Sequence, residues 1–128
     1  MKLLKLSEMS FKAVTTVYKE LYVGELHDGS PLHIPFAVID GREPGKTLLV
    51  ASGINGNIYN GIEATRRILL EVKPEKIRGR LVVLPIINRP AFLTRSRANT
   101  FENFPGPTQM VGSFPGSSEG IFTERIWV

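Results

Sequence analysis

The sequence predicts an α/β fold, a β-meander leading into a strand-helix-strand crossover of a mixed sheet, and three observations predict it. Two runs rich in β-formers, Val14 to Leu26 and Leu32 to Ile39, flank the turn His27-Asp-Gly-Ser30. An amphipathic stretch from Asn60 to Val72 has helical spacing, with Ile62, Ala64 or Thr65, Ile68, Leu69 and Val72 on one side. Between that stretch and Asn88 lies Leu81-Val-Val-Leu-Pro-Ile-Ile87, a near-continuous apolar run of the kind a parallel strand shows when buried on both faces.

The elements follow in order. Asp40-Gly41 closes the second strand, and Arg42-Glu-Pro-Gly-Lys46 is a turn-forming loop ahead of a third, Thr47 to Ser52, which completes the expected meander. The helix starts at Asn60, whose amide suits an N-cap, with Glu63 three residues on in capping-box position and Pro74 just past the end. Strand, helix and strand in that order form a right-handed crossover. From residue 88 to 120 no period is visible, and the segment reads as a long Pro/Gly-rich loop within one domain, residues 1–128. Glu119 to Val128 reads as the first turns of a helix.

Composition narrows the function classes. A chain of 128 residues, 42% apolar and 22% charged, can bury a core. No apolar run approaches the roughly 20 residues that span a bilayer, so no membrane partner is expected. Net charge is +4, from 16 basic and 12 acidic residues, but the basic clusters lack interleaved aromatics, so no nucleic-acid partner is expected either. The absence of cysteine excludes disulfides and thiolate metal sites and suits the cytoplasm. The basic start, Met1-Lys-Leu-Leu-Lys5, lacks the apolar core of a signal peptide.

The stretch from Ala51 to Gly61 has the position of a catalytic loop, between a strand and a helix, where open α/β sheets place their sites. It contains no His, Cys, Asp or Glu. Glycines at 53, 56 and 61 do not have the spacing of a phosphate-binding loop, and no Gly-x-Ser-x-Gly elbow is present. Asn57 and Asn88 read as residues that fix local turns through side-chain bonds to backbone.

Six pieces in order resemble the succinylglutamate desuccinylase/aspartoacylase family, zinc-dependent amide hydrolases with a carboxypeptidase-like fold. They are Gly24-Glu-Leu-His-Asp-Gly29, Gly53-Ile-Asn-Gly-Asn-Ile-Tyr-Asn-Gly61, Gly79-Arg-Leu-Val-Val-Leu-Pro85, Asn88-Arg-Pro-Ala-Phe92, Arg95-Ser-Arg97, and Phe114-Pro-Gly116 followed by Thr123-Glu-Arg-Ile126. The resemblance covers roughly residues 22 to 126 and implies the N-terminal half of a zinc carboxypeptidase-like fold. In that family the equivalent loop carries a His and a Glu that bind zinc. Here Asn55 and Ile58 occupy those positions, and a carboxamide is a poor zinc ligand while isoleucine is none. The resemblance places the third ligand and the general base beyond Val128, so neither is expected in this chain. His27 and His33 flank a turn at a spacing that matches no zinc signature and read as ordinary turn and strand residues.

Arg97 matches an arginine that, by resemblance, helps bind the substrate carboxylate, whereas Gln109-Met-Val-Gly-Ser113 stands where the family has a further Asn-Arg pair. The resulting expectation is a truncated or decayed homologue of N-acyl-amino-acid deacylases, without hydrolase activity on its own, with no catalytic residues and no bound cofactor. Two alternatives stay open. One is a non-catalytic binding module in which Arg97 holds a carboxylated small molecule, or which takes a partner protein; the other is an incomplete chain of an active deacylase. Uncovered apolar strand edges further predict self-association, or a disordered tail from about Thr94 onward.

Overall fold

The computed structural model describes residues 8–102 and 110–127. Four strands, β1 (Thr15–Glu25), β2 (Pro31–Asp40), β3 (Thr47–Ala51) and β4 (Arg80–Leu84), form one mixed sheet, with α1 (Tyr59–Glu71) between β3 and β4. Two short helices follow, α2 (Arg89–Leu93) and α3 (Phe122–Arg125), with a 3-10 turn at Met110–Ser113 between them.

β1 and β2 pair antiparallel across a turn that Asp28 organises by accepting bonds from the Ser30 amide and hydroxyl. Those bonds stabilise the ionised carboxylate and lower the Asp28 pKa. The third strand does not extend the meander. The strand order is β1-β2-β4-β3, so β4 inserts between β2 and β3, antiparallel to the first and parallel to the second. Two local facts select that order. Arg80 at the start of β4 is in register with Asp40 on β2, and their side chains form a bidentate ion pair. Val82 and Val83 are both fully buried, so the strand that is apolar on both faces takes the interior place.

One sheet face carries Ile34, Phe36, Val38, Val82 and Leu84, and it packs against Met9, Met110, Phe122 and Trp127. The other face, with buried Ala37, Ile39 and Val83, is left to the α1 crossover. The expected disordered tail is corrected for the described part: Met110 and Phe122 are core residues, and the Trp127 indole donates to the Met110 carbonyl at 2.7 Å. Burial of two large side chains is what orders that segment. Within 88–120, α2 and the 3-10 turn supply local structure; residues 103–109, including Gln109, lie outside the described part, as do residues 1–7 and Val128.

α1 starts one residue earlier than expected, at Tyr59, and its N-cap is Ile58 with no side-chain cap bond. The Asn60/Glu63 capping box is therefore not formed. Glu63 instead bonds Arg66 and Arg67, three and four residues on, and those two guanidinium groups hold its pKa down to about 2.

Candidate functional site

The loop between β3 and α1 lies at the C-terminal end of the parallel pair, where α/β sheets bind ligands. The β3–β4 contact continues past the strand ends and clamps it. The Ser52 amide donates to Leu84 O, Ile87 N donates to Ser52 O at 3.0 Å, and Asn88 N donates to Gly53 O at 3.0 Å. Gly53 has φ +68, and a Cβ there would lie 2.9 Å from Ile86 Cα, so glycine alone fits without strain.

Asn88 is fully buried and works in both directions. Its Nδ2 donates to Ile54 O at 3.0 Å, and its Oδ1 accepts from Ala91 N, capping α2. That agrees with the turn-fixing role expected of it. Gly56 presses against α2, where a Cβ would stand 2.1 Å from the Ala91 carbonyl carbon, and its amide points at Arg97 O at 3.4 Å. Tyr59 meets Phe92 edge to face, with ring centroids 6.3 Å apart, tying the start of α1 to α2.

Beneath the loop, the Ser52 hydroxyl donates to Pro85 O and lies 2.9 Å from the Thr65 hydroxyl on α1. This buried pair was not identified from the sequence as part of the site. A threonine on the apolar stripe of α1 was its only trace.

Ser52, Gly53, Ile54, Asn55, Ile58 and Gly61 line a small open depression of about 180 Å³. Asn55 is half-buried and Ile58 is 53% exposed. The only donor groups these side chains offer are an amide and a hydroxyl, which does not fit zinc. The histidines are elsewhere: His27 Nε2 lies 2.8 Å from Phe101 O, and His33 packs its ring on Tyr22. Among the described residues no three His, Cys, Asp or Glu side chains converge to hold a metal ion. Arg97 is exposed, and its carbonyl contact with Gly56 brings its backbone to the loop.

The sheet order, the strand-to-helix loop and its closure on α2 define a mixed-sheet α/β domain like the N-terminal part of a carboxypeptidase-like fold. The profile of the succinylglutamate desuccinylase/aspartoacylase catalytic domain matches residues 44–126, and the chain belongs to that family. It is 31% identical over 93 residues to the N-alpha-acetyl-L-2,4-diaminobutyric acid deacetylase of Halomonas elongata, covering 73% of this chain and 26% of that protein. An aspartoacylase family protein from Mesorhizobium loti superposes with TM-score 0.76 at 26% identity, over 94% of this chain and 37% of that one. The product-bound ectoine utilization protein EutE (DoeB) from Ruegeria pomeroyi gives TM-score 0.79 at 26% identity, over 94% and 36%. The chain thus spans between a quarter and somewhat more than a third of the length of these relatives. Among the described residues no helix is long and apolar enough to cross a membrane.

Proposed function

We propose that this chain by itself is a non-catalytic member of its family, a pseudoenzyme that neither holds zinc nor hydrolyses amides. The observation that supports the reading is the donor set of the clamped loop, which an amide, Asn55, and an aliphatic side chain, Ile58, line where the sequence resemblance implies a metal-binding His and Glu. A catalytic zinc lowers the pKa of its water and polarises the carbonyl, and an amide with an isoleucine cannot hold the ion that does this. The absence of cysteine supports a reducing, cytoplasmic setting.

The test is calorimetric titration of the 128-residue chain with zinc, alongside hydrolysis of acetylated diaminobutyrate and acyl-aspartate, the class the relatives' names point to. Heats no larger than dilution and no zinc-dependent turnover are expected. Stoichiometric binding with turnover would mean an active deacylase and would end this reading.

A second reading is favoured by one contact. The Gly56 to Arg97 bond holds the arginine's backbone beside the depression, so a carboxylated small molecule could be recruited there without being cleaved. Amide chemical shifts of Gly56 to Gly61 should move on adding acyl-amino acids, and Arg97→Ala should abolish the movement. No shift at millimolar ligand rules out the carboxylate-binding reading.

A further inference from the structure

Six asparagines stand in the chain, and two of them, Asn55 and Asn60, are followed directly by glycine. The backbone nitrogen of the next residue can attack an asparagine at its side-chain carbonyl carbon, and a glycine there leaves that nitrogen least hindered and the backbone freest to bring it close. Ile58, Arg89, Thr100 and Phe104 follow the other four and crowd the nitrogen.

The fold separates the two Asn-Gly pairs. Asn60 is the second residue of α1 and Gly61 the third, so helical ψ holds the Gly61 nitrogen away from the Asn60 carboxamide carbon. Asn55 instead opens a turn outside the helix, closed by Ile58 N donating to Asn55 O at 3.3 Å. Its carboxamide forms no hydrogen bond among the described residues. Asn88, by contrast, uses both amide atoms, and the Asn99 Oδ1 accepts the Phe101 amide. The Gly56 amide meets Arg97 O at 3.4 Å, longer than the usual range for such a bond, and so is weakly held. Asn60 is the more exposed of the two, so solvent access alone would select it; backbone geometry selects Asn55.

We propose that Asn55-Gly56 is a self-modification site, at which the chain deamidates and places a carboxylate on the wall of the depression. The Gly56 nitrogen gives its proton to hydroxide and bonds to Asn55 Cγ. The tetrahedral carbon then expels the side-chain nitrogen, which takes a proton from water and leaves as ammonia, and a five-membered imide remains. Water opens that ring at either carbonyl. Breaking the new Cγ–N bond gives an aspartate in the ordinary backbone, whereas breaking the original C–N bond gives an isoaspartate, with the chain routed through the side chain. Both products carry one more negative charge, and the isoaspartyl link adds an atom to the backbone. Gly56 has no room to absorb it, since a Cβ there would stand 2.1 Å from the Ala91 carbonyl carbon, so the loop lifts off α2. Both reacting atoms belong to adjacent residues, and the only co-reactant is water.

Incubation of the folded chain at mildly alkaline pH tests this, with residues 47–66, the tryptic peptide that holds both pairs, mapped by electron-transfer fragmentation. Aspartate and isoaspartate should appear together at position 55, at least tenfold faster than at position 60. Both should slow as pH falls, because the attacking nitrogen must first lose its proton. In concentrated urea, with α1 unfolded, the two positions should react at similar rates. Asn55→Gln, whose longer side chain would need a six-membered ring, should stay unmodified at position 55 and keep its Gly56 and Phe92 amide signals in place over the same time. Equal rates at positions 55 and 60 in the folded chain, a position 55 that reacts only in urea, or aspartate without isoaspartate overturns the proposal.

Discussion

Arg80 grips Asp40 with both arms of its guanidinium, Nε to Oδ1 at 2.6 Å and Nη2 to Oδ2 at 2.9 Å, at the point where β4 enters the sheet beside β2. The same guanidinium donates to the carbonyls of Met9 and Ser10, and Asp40 accepts the Lys12 amide. One nearly buried ion pair therefore sets the position of β4 and fastens the N-terminal segment over Phe36 and Val38.

Removing one partner leaves the other buried and unpaired. Asp40→Asn should lower unfolding free energy by about 3 kcal/mol in urea melts at pH 7. Unchanged stability would show that solvent reaches the pair.

The pH dependence has a definite sign. Arg80, ahead of the smaller contribution from the Lys12 amide, holds the Asp40 pKa below its ordinary 3.8. The folded value lies under the unfolded one, so the contribution is full above about pH 4 and is lost as pH falls through the folded pKa. Urea melts between pH 5 and pH 2 should show a loss for the wild type that is smaller in Asp40→Asn.

Gly56 tolerates no side chain, because a Cβ would fall 2.1 Å from the Ala91 carbonyl carbon. Gly56→Ala should destabilise the fold by about 3 kcal/mol, as overpacking against fixed backbone does. Chemical-shift changes should centre on α2 and residues 53–58.

The buried hydroxyl pair joins α1 to the loop. Thr65→Val keeps the shape but removes the bond to Ser52, and a loss of about 1 kcal/mol is expected in thermal or urea melts. Faster amide exchange at Ile54 and Asn55 should accompany it.

Restoring two ligands should not restore a metal enzyme. Asn55→His with Ile58→Glu should bind zinc weakly by calorimetry, since catalytic zinc sites usually draw on three protein ligands. Tight stoichiometric binding by the double variant would reveal a third donor.

Much of the fold was legible. The β-former runs, the helix of α1 and the long apolar run of β4 follow local pattern, and each lies within a few residues of its expected bounds. The loop that lines the depression was legible too, and Asn55 and Ile58, both singled out in the sequence, lie on its wall. The capping box was misread because Glu63 had better partners in Arg66 and Arg67, one helical turn away. Packing of the segment around Met110 and Phe122 was invisible because the contacts that order it come from Val23, Leu32 and Ile34, far away along the chain.

Residue order alone determined which segments are strands and helix, where the site loop falls and which donor atoms it lacks, because those depend on neighbours within a turn or on side-chain chemistry. Only the tertiary structure decided that β4 lies between β2 and β3, that Ser52 and Thr65 share a bond, and that Met110 and Phe122 join the core. Those depend on which distant groups satisfy one another, Arg80 with Asp40 above all, and periodicity carries no record of that choice.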